Sequence, residues 1–293
     1  MHTFRATVLR KTRLSPHLVS VTLGGLTDFA TTGLPDEYVR VMIPPVGEAL
    51  VLPEISADWV VTFPEGTIDP EQRVYTVSDY RVVDAKVEID LDVVLHEGGI
   101  GAAWALTCRP GDEVGLIQPH GLYAAPDGVG WQLLVADLTG VPALARILRG
   151  LQPGQRVEAT VVVIDAADEI ALPSPADVTV TWEVVAGEND ITSALTLAVT
   201  GADLPTSDRY VWLAGEARAS RAVRRYLRRE LGWPQSDFST CGYWQIDAAK
   251  WNRRFAEVAE EVLTKARQAQ AKAGKDEGAY LDALEDIYES VGL

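Results

Sequence analysis

The stretch Gln72-Arg73-Val74-Tyr75-Thr76-Val77-Ser78 decides how this chain is interpreted. In an extended strand alternate side chains share a face, so Arg73 and Tyr75 would point the same way. Such a strand presents a guanidinium for a phosphate, a flat ring and, on Thr76, a small hydrogen-bonding group. Those three features suit a flavin nucleotide. Taken alone, the pattern is equally compatible with an ordinary edge strand that carries a solvated arginine.

The composition bounds the class of protein. The chain has 293 residues, of which 47% are hydrophobic and 23% charged, and this length favours about two globular domains. The net charge of −16 argues against nucleic acid or an anionic membrane surface as a partner. Two cysteines, Cys108 and Cys241, favour a reducing compartment. Without an apolar signal core or a long apolar run, the sequence predicts a cytoplasmic protein.

Two hydrophobic patterns divide the chain. Over residues 1–126, short strands separated by turn signals predict an antiparallel β-barrel domain. Over residues 127–246, apolar strands alternate with helices, which is typical of a parallel-sheet α/β domain. Residues 247–293 form a helical C-terminal tail with two apolar stripes. This tail is predicted to pack on the body of the protein or on a partner subunit.

A glycine-rich stretch, His96-Glu97-Gly98-Gly99-Ile100-Gly101-Ala102, leaves a predicted strand and enters a short helix. Glycines let the backbone approach a phosphate closely, and the amides at a helix N-terminus favour an anion. A flexible hairpin connection is the alternative. His96 is more simply a polar contact than a base, and no catalytic residue is predicted. The histidines show no metal-ligand spacing, so no metal site is predicted either.

Parallel α/β sheets bind ligands beyond the carboxyl ends of their strands. Two pairs of residues occupy such ends, Asp137 with Thr139 and Gly215 with Glu216. The next helix carries arginines at spacings of three and four: Arg218, Arg221, Arg224, Arg225, Arg228 and Arg229. They form either a solvated face or a surface for a negatively charged substrate or cofactor. Cys241-Gly242-Tyr243-Trp244 places two aromatics after the last predicted strand, in the core or beside a flavin cleft.

Taken in this order, the stretches resemble those of the siderophore-interacting proteins, a flavoprotein branch of the ferredoxin-reductase superfamily. Arg73-Val74-Tyr75-Thr76 resembles the R-x-Y-T signature of that family, and Asp92-Val93-Val94-Leu95-His96 resembles its D-F-V-L-H strand. The loop from Gly98 to Trp104 resembles its phosphate loop. The later matches are Ala136–Ala143 to G-D-E-T-A-L-P-A, Ala214–Ala217 to A-G-E-A, and Gly242–Trp244 to G-Y-W.

The resemblance implies an FAD-binding barrel of the ferredoxin-reductase type followed by an NAD(P)H-type α/β domain. Tyr75 would lie against the isoalloxazine, Thr76 near its reactive nitrogen and Arg73 at the pyrophosphate. The remaining FAD contacts would come from His96, Gly98, Gly99, Gly101, Ala102 and Trp244. Arg40 stands where the family has a siderophore-holding lysine. The nicotinamide side would involve Asp137, Thr139, Gly215 and Glu216.

The implied activity is an FAD-dependent transfer of electrons from NAD(P)H or a reduced ferredoxin to a ferric siderophore, which releases Fe(II). Besides Arg40, several positions differ from the family pattern: Ser78 replaces a second arginine, Ile100 a proline, Ala102 a serine, Leu138 an acidic residue and Gln245 a basic residue. Two alternatives therefore stay open. One is a flavin reductase or diaphorase with another acceptor, and the other is a non-catalytic ligand-binding protein that retains the fold. A homodimer through the C-terminal helices is a further expectation.

Overall fold

The first half of the chain forms a closed antiparallel barrel. The computed structural model describes residues 2–56 and 60–293, apart from the side chain of Glu277. Within these residues the barrel order is β1-β2-β7-β6-β3-β8. Its strands are β1 (Thr3–Ser15), β2 (Leu18–Leu26), β3 (Tyr38–Ile43), β6 (Glu71–Val83), β7 (Lys86–Val94) and β8 (Glu113–His120). A separate short hairpin consists of β4 (Glu54–Ile55) and β5 (Val61–Thr62), and helix α1 (Ile100–Thr107) links β7 to β8.

The second half is a parallel sheet with the order β11-β10-β9-β12-β13. Its strands are β9 (Trp131–Asp137), β10 (Arg156–Val163), β11 (Asp177–Val184), β12 (Arg209–Glu216) and β13 (Phe238–Trp244). Every residue of β9 is buried, because helices cover both faces of the sheet. Helix α2 (Val141–Gly150) lies on one face, and α3 (Glu188–Thr200) and α4 (Ala217–Arg225) lie on the other.

The predicted fold class is confirmed, with differences in detail. The barrel precedes the parallel sheet, and two helices, α5 (Ala248–Ala273) and α6 (Glu277–Ser290), follow it. Helix α3 was not anticipated, although its buried residues recur at spacings of three and four. The prediction that Cys241–Trp244 follows the last strand is wrong, because these residues lie inside β13. The domain boundaries at residues 126 and 246 stay predictions.

The two helices of the C-terminal tail pack on each other. Trp251 stacks on Phe255 with ring centroids 5.1 Å apart, and Tyr288 of α6 meets Trp251 edge-on at 6.3 Å. The three rings form an aromatic cluster where α5 meets α6. Among the described residues, no helix has both the length and the apolar character needed to cross a bilayer.

Helix α6 occupies most of the arginine-rich face of α4 and the turn that follows it. Four arginines of that face are therefore paired and not open to an anionic ligand, although Arg225 and Arg229 stay partly solvated. Arg224, Arg225, Arg228 and Arg229 form ion pairs with Asp282, Glu285, Asp286 and Glu289. The pairing works because the carboxylates of α6 repeat at the same three- and four-residue spacing as the arginines.

Two buried carboxylates join the barrel to the α/β sheet. Glu37, in the loop before β3, accepts a 2.8 Å hydrogen bond from Arg146 of α2 and is fully buried. Asp168, in the loop after β10, accepts hydrogen bonds from the Ser15 hydroxyl at 2.6 Å and the His17 amide at 2.8 Å. Its second oxygen lies 2.7 Å from His17 Nδ1. Each contact crosses between the two halves of the chain.

The contact at Asp168 also brings together potential metal ligands. Ligand atoms of His17, Asp165 and Asp168 lie within 4.8 Å of one another. Sequence spacing gave no sign of this group, because His17 and Asp168 are 151 positions apart. Both oxygens of Asp168 already accept hydrogen bonds, so we interpret the group as a contact between domains.

We expect Asp168→Ala to lower the free energy of unfolding by about 2 kcal/mol at pH 7, because the buried Ser15 hydroxyl and the two part-buried His17 donors lose their acceptor. Burial favours the neutral carboxyl, but hydrogen bonds from Ser15 and His17 outweigh it and hold the pKa of Asp168 below its ordinary value of 3.8. A lowered folded-state pKa stabilises the protein above the unfolded-state pKa, and this contribution is lost as the pH falls through the folded-state pKa.

Urea denaturation at pH 7 and near pH 3 measures both effects. The difference between wild type and Asp168→Ala should shrink at the lower pH. Asp177→Ala removes an exposed carboxylate at the start of β11 and serves as the matched control. Equal unfolding midpoints for wild type and Asp168→Ala at pH 7 would contradict the role of this contact.

Candidate functional site

Strand β6 carries the R-x-Y-T residues across the barrel wall. Arg73 lies opposite Val41 of β3, and Tyr75 lies opposite Val39. Directly opposed residues share a face, so Arg73 and Tyr75 point to the same side as these two core valines. Thr76 points to the other side, toward the α/β sheet. The strand therefore presents Tyr75 and Thr76 on different faces.

Tyr75 is held by α1. Its ring stacks on Trp104 with centroids 6.5 Å apart and an angle of 28° between the planes. A Cβ atom built on Gly101 would overlap the Tyr75 hydroxyl, so this close approach requires glycine at position 101. Burial raises the pKa of Tyr75 to about 12, and the nearby Arg73 offsets only part of that rise. Tyr75 is therefore a neutral phenol at physiological pH.

The glycine loop (residues 96–102) makes a similar contact with His96. The imidazole rests on Gly99, where any Cβ atom would overlap the ring, and its Nδ1 lies 3.2 Å from the Glu97 carbonyl oxygen. Gly98 has a φ of +71°, a left-handed conformation that glycine adopts without strain. Gly99 is the N-cap of α1 and makes no side-chain capping hydrogen bond. The first amides of α1 are thus available to an anion.

Two arginines lie near the R-x-Y-T residues, Arg73 on β6 itself and Arg40 on the neighbouring strand β3. Arg73 is partly exposed, donates to the Gln72 carbonyl oxygen at 2.6 Å and pairs with Glu71 at 3.2 Å. Arg40 projects from β3 beside Val74, on the face opposite Arg73, and lies 3.5 Å from the Gln72 side-chain oxygen. An exposed ion pair is worth little in water. Arg73 can therefore exchange Glu71 for a phosphate at small cost.

The residues predicted for the nicotinamide side meet at the carboxyl edge of the sheet. Asp137, at the end of β9, accepts hydrogen bonds from the Thr139 amide at 2.9 Å and the Thr139 hydroxyl at 2.6 Å. Trp244 donates its indole N–H to the other oxygen of Asp137 at 2.7 Å. Burial raises the pKa of Asp137, although these hydrogen bonds oppose it. A Cβ atom on Gly215 would overlap this carboxylate.

Glu216 caps helix α4. One of its oxygens accepts from the Arg218 amide at 2.7 Å, the Ala219 amide at 3.1 Å and the Thr192 hydroxyl at 2.9 Å. The side chain is fully buried. The carboxylates of both Asp137 and Glu216 are thus engaged by the chain itself.

Sequence reasoning missed a group of polar residues between the barrel and the sheet. The Thr76 side chain lies next to the hydroxyl of Tyr243, and burial raises the pKa of that hydroxyl. Asp36 accepts from the Leu122 amide at 2.9 Å and from the Trp212 side chain, and burial raises its pKa too. Tyr243 therefore meets β6, whereas Trp244 packs toward α3 and α4. The signal available in the sequence was a pair of aromatic residues beside a predicted flavin cleft. That signal does not distinguish Tyr243 from Trp244.

Comparison with known proteins gives the context for this geometry. Residues 7–123 match the family model for the siderophore-interacting FAD-binding domain, and residues 129–247 match that for the siderophore-interacting protein. An uncharacterized Mycobacterium tuberculosis protein is 31% identical over 88% of this chain and 96% of its own length. The chain belongs to the siderophore-interacting protein family. The resemblance inferred from its motifs is confirmed.

Two further similar proteins have names that describe a function. The NADPH-dependent ferric-chelate reductase of Escherichia coli is 28% identical over 81% of this siderophore-interacting protein and 91% of its own length. A crystal structure of a siderophore utilization protein from T. fusca is 29% identical, with a TM-score of 0.71, and covers 84% of this chain and 94% of that one. This siderophore-interacting protein is accordingly an FAD-dependent oxidoreductase. The roles of its individual site residues stay predictions.

The residues of the barrel fit FAD. The loop amides of α1, the partly exposed Arg73 and the ring of Tyr75 supply an anion site beside a flat surface. Gly99 and Gly101 have no side chain where His96 and Tyr75 approach the backbone. The positions of the His96 and Tyr75 rings therefore depend on the glycines of the loop.

We expect Gly101→Ala to lower FAD affinity at least about tenfold, because the new methyl group displaces the Tyr75 ring. Tyr75 Oη is the far end of a side chain that can swing away, so stability should change by less than about 1 kcal/mol. FAD titration of the apoprotein, followed by flavin fluorescence, measures the affinity.

Gly150→Ala is the matched control, because a Cβ atom there meets nothing within 4 Å. FAD affinity in that variant should equal that of the wild type. An unchanged FAD affinity in Gly101→Ala would show that the Tyr75 position does not matter for the flavin.

Proposed function

We propose that this siderophore-interacting protein is a reductase that passes electrons from NAD(P)H, through FAD, to a ferric siderophore. The contact between Thr76 and Tyr243 carries the proposal. It sets the barrel strand predicted to hold the flavin against the carboxyl edge of a parallel sheet, where nucleotides bind. A flavin held at this strand would then lie close to a nicotinamide bound at that edge.

The chain would hold the cofactor mainly through charge and backbone amides. Arg73 and the N-terminus of α1 would neutralise the pyrophosphate, and Tyr75 would support the ring system. When bound at these residues, FAD would supply the exchange between two-electron and one-electron chemistry that a ferric acceptor needs. Thr76 presents a hydroxyl on the opposite face of β6, next to the Tyr243 side chain of the sheet. These residues position the cofactor and exclude water. None of them acts as a general acid or base in this proposal.

Arg40 is the residue we assign to the substrate. It is an exposed cation in a chain whose net charge of −16 repels anionic chelates, so a local positive group is needed to attract them. Fe(II) binds hard oxygen ligands more weakly than Fe(III) does, so reduction releases the metal from the siderophore. The free cysteines Cys108 and Cys241 suit a reducing cytoplasm as the place of this reaction.

A reduced ferredoxin is the second candidate donor. Ferredoxin recognition would require an exposed basic surface, and the arginine-rich face of α4 is largely paired with α6. NAD(P)H is therefore the donor that the described surface favours. A homodimer through the C-terminal helices would have to use their outer faces, since α6 is docked on α4.

An anaerobic titration tests the proposal. FAD-loaded protein receives NADH, NADPH or a reduced ferredoxin, and then a ferric siderophore, while the visible flavin absorbance is recorded. We expect a nicotinamide to bleach the flavin and the ferric siderophore to restore it. Protein that takes up no FAD would contradict the proposal. A flavin that never bleaches favours a ligand-binding protein, and one reoxidised by quinones or free flavin alone favours a diaphorase.

We expect Arg40→Ala to raise the KM for an anionic ferric siderophore about tenfold, because a charge-assisted contact is lost. FAD occupancy should stay intact, since Arg40 and Arg73 lie on opposite faces of the barrel wall. Steady-state reduction of the ferric chelate and the ratio of flavin to protein absorbance measure the two effects.

Lys86→Ala is the matched control for Arg40→Ala. Lys86 is another exposed cation, located at the hairpin where β6 ends. Its removal should leave the KM unchanged. Loss of flavin from Arg40→Ala, instead of a change in KM, would show that Arg40 belongs to the FAD site.

A further inference from the structure

One hydrogen bond spans the carboxyl edge of the sheet. Trp244 lies on β13 and Asp137 on β9, and β12 runs between these strands. The indole N–H of Trp244 nevertheless donates to Asp137 Oδ2 at 2.7 Å. The bond therefore crosses the end of β12.

The end of β12 is adapted to this crossing. The residue at that point is Gly215, where any Cβ atom would overlap the Asp137 carboxylate. The register between β12 and β13 shifts there, from Gly215 opposite Gly242 to Glu216 opposite Trp244. This bulge places one extra residue, Tyr243, in β13 and turns the next ring toward β9. A missing side chain and a bulge together let the indole reach Asp137.

The crossing coincides with the ligand crevice of the sheet. The chain passes from β9 to β10 and β11 on one side, and then returns to β12 and β13 on the other. The order thus reverses between β9 and β12, and ligands of such sheets bind outside the strand ends at this reversal. The Trp244 indole lies across that position.

Asp137 is poorly placed to bind a ligand directly. One oxygen accepts two hydrogen bonds from Thr139, and the other accepts the indole N–H. The side chain is 2% exposed. All of these partners donate, so the carboxylate acts as a buried acceptor that orients its neighbours.

We propose that Asp137 is a positioning residue that acts through Trp244. Its carboxylate fixes the indole across the crevice between β9 and β12, so that the ring forms a preset wall of the nicotinamide pocket. The inference rests on the proposed function, because it concerns the pocket for the electron donor. Asp137 thereby contributes to donor binding without touching the donor.

The protein contains a matched control for this bond. At the opposite end of β9, Trp131 donates its indole N–H to Glu158 at 3.1 Å. Both bonds join an indole to a carboxylate and involve β9. Only the bond between Trp244 and Asp137 lies at the crevice, so Glu158→Gln removes the same type of bond away from it.

Steady-state kinetics of the FAD-loaded protein test the proposal. Asp137→Asn and Trp244→Phe should each raise the KM for the nicotinamide about tenfold and change kcat by less than about twofold. The double variant should be no worse than either single variant, because both changes break one interaction. Glu158→Gln should match the wild type.

An NMR measurement provides a readout that does not depend on turnover. With ¹⁵N-labelled tryptophan, the indole N–H resonance of Trp244 is identified by its loss in Trp244→Phe. That resonance should move in Asp137→Asn and stay in place in Glu158→Gln, whereas the Trp131 resonance should do the reverse. If Asp137→Asn does not fold, Trp244→Phe still has to show the rise in KM.

The outcomes separate the inference from the proposed function. Multiplicative effects in the double variant, an unchanged KM in either single variant, or a Trp244 resonance that does not move in Asp137→Asn would overturn the inference alone. A wild-type protein that binds FAD and is reduced by neither NADH nor NADPH would overturn the inference together with the nicotinamide part of the proposed function.

Discussion

The ion pair between Glu37 and Arg146 fixes the barrel against the sheet. A buried charge is stable only when it is paired and hydrogen-bonded. Glu37 meets both conditions, because the Thr31 hydroxyl and the Thr32 amide and hydroxyl also donate to it. Arg146 donates to the Val77 carbonyl oxygen at 2.8 Å as well, one residue beyond Thr76. The strand that carries the candidate flavin residues is therefore attached directly to the α/β half.

Helix α2 transmits this attachment to the crevice. Its ten residues begin just after the Asp137–Gly140 turn, and Arg146 and Arg149 lie in its second half. Arg149 donates to the Ser78 carbonyl oxygen at 2.5 Å, while the Ser78 hydroxyl reaches the Asp90 carbonyl oxygen. The contact between the halves thus uses only the backbone of Ser78, whereas its side chain bonds within the barrel. One short helix thus connects the candidate flavin strand to the carboxyl edge of the sheet.

The sequence contains local patterns, and those patterns predicted the fold class. Alternating strands before residue 126 and buried apolar strands after it gave the barrel and the parallel sheet. The glycine loop was predicted because Gly98, Gly99 and Gly101 stand together. Contacts between distant segments were beyond such reasoning, as the Ser15, His17 and Asp168 group shows. Their formation depends on how the two halves dock, which no local pattern records. Asp137 and Glu216 were placed correctly at strand ends, but their hydrogen-bond partners were not foreseen.

The pairing of α6 with α4 changes what the overall charge of −16 means. Residues 276–293 contribute acidic side chains and neither lysine nor arginine. They act as a covalently attached counter-ion for a helix that would otherwise be polycationic. A chain cut in the turn near Lys275 would expose this helix. The shortened protein would present this cationic helix on a body that stays acidic overall, so any retention on heparin or RNA would report a lost helix and not a nucleic-acid function.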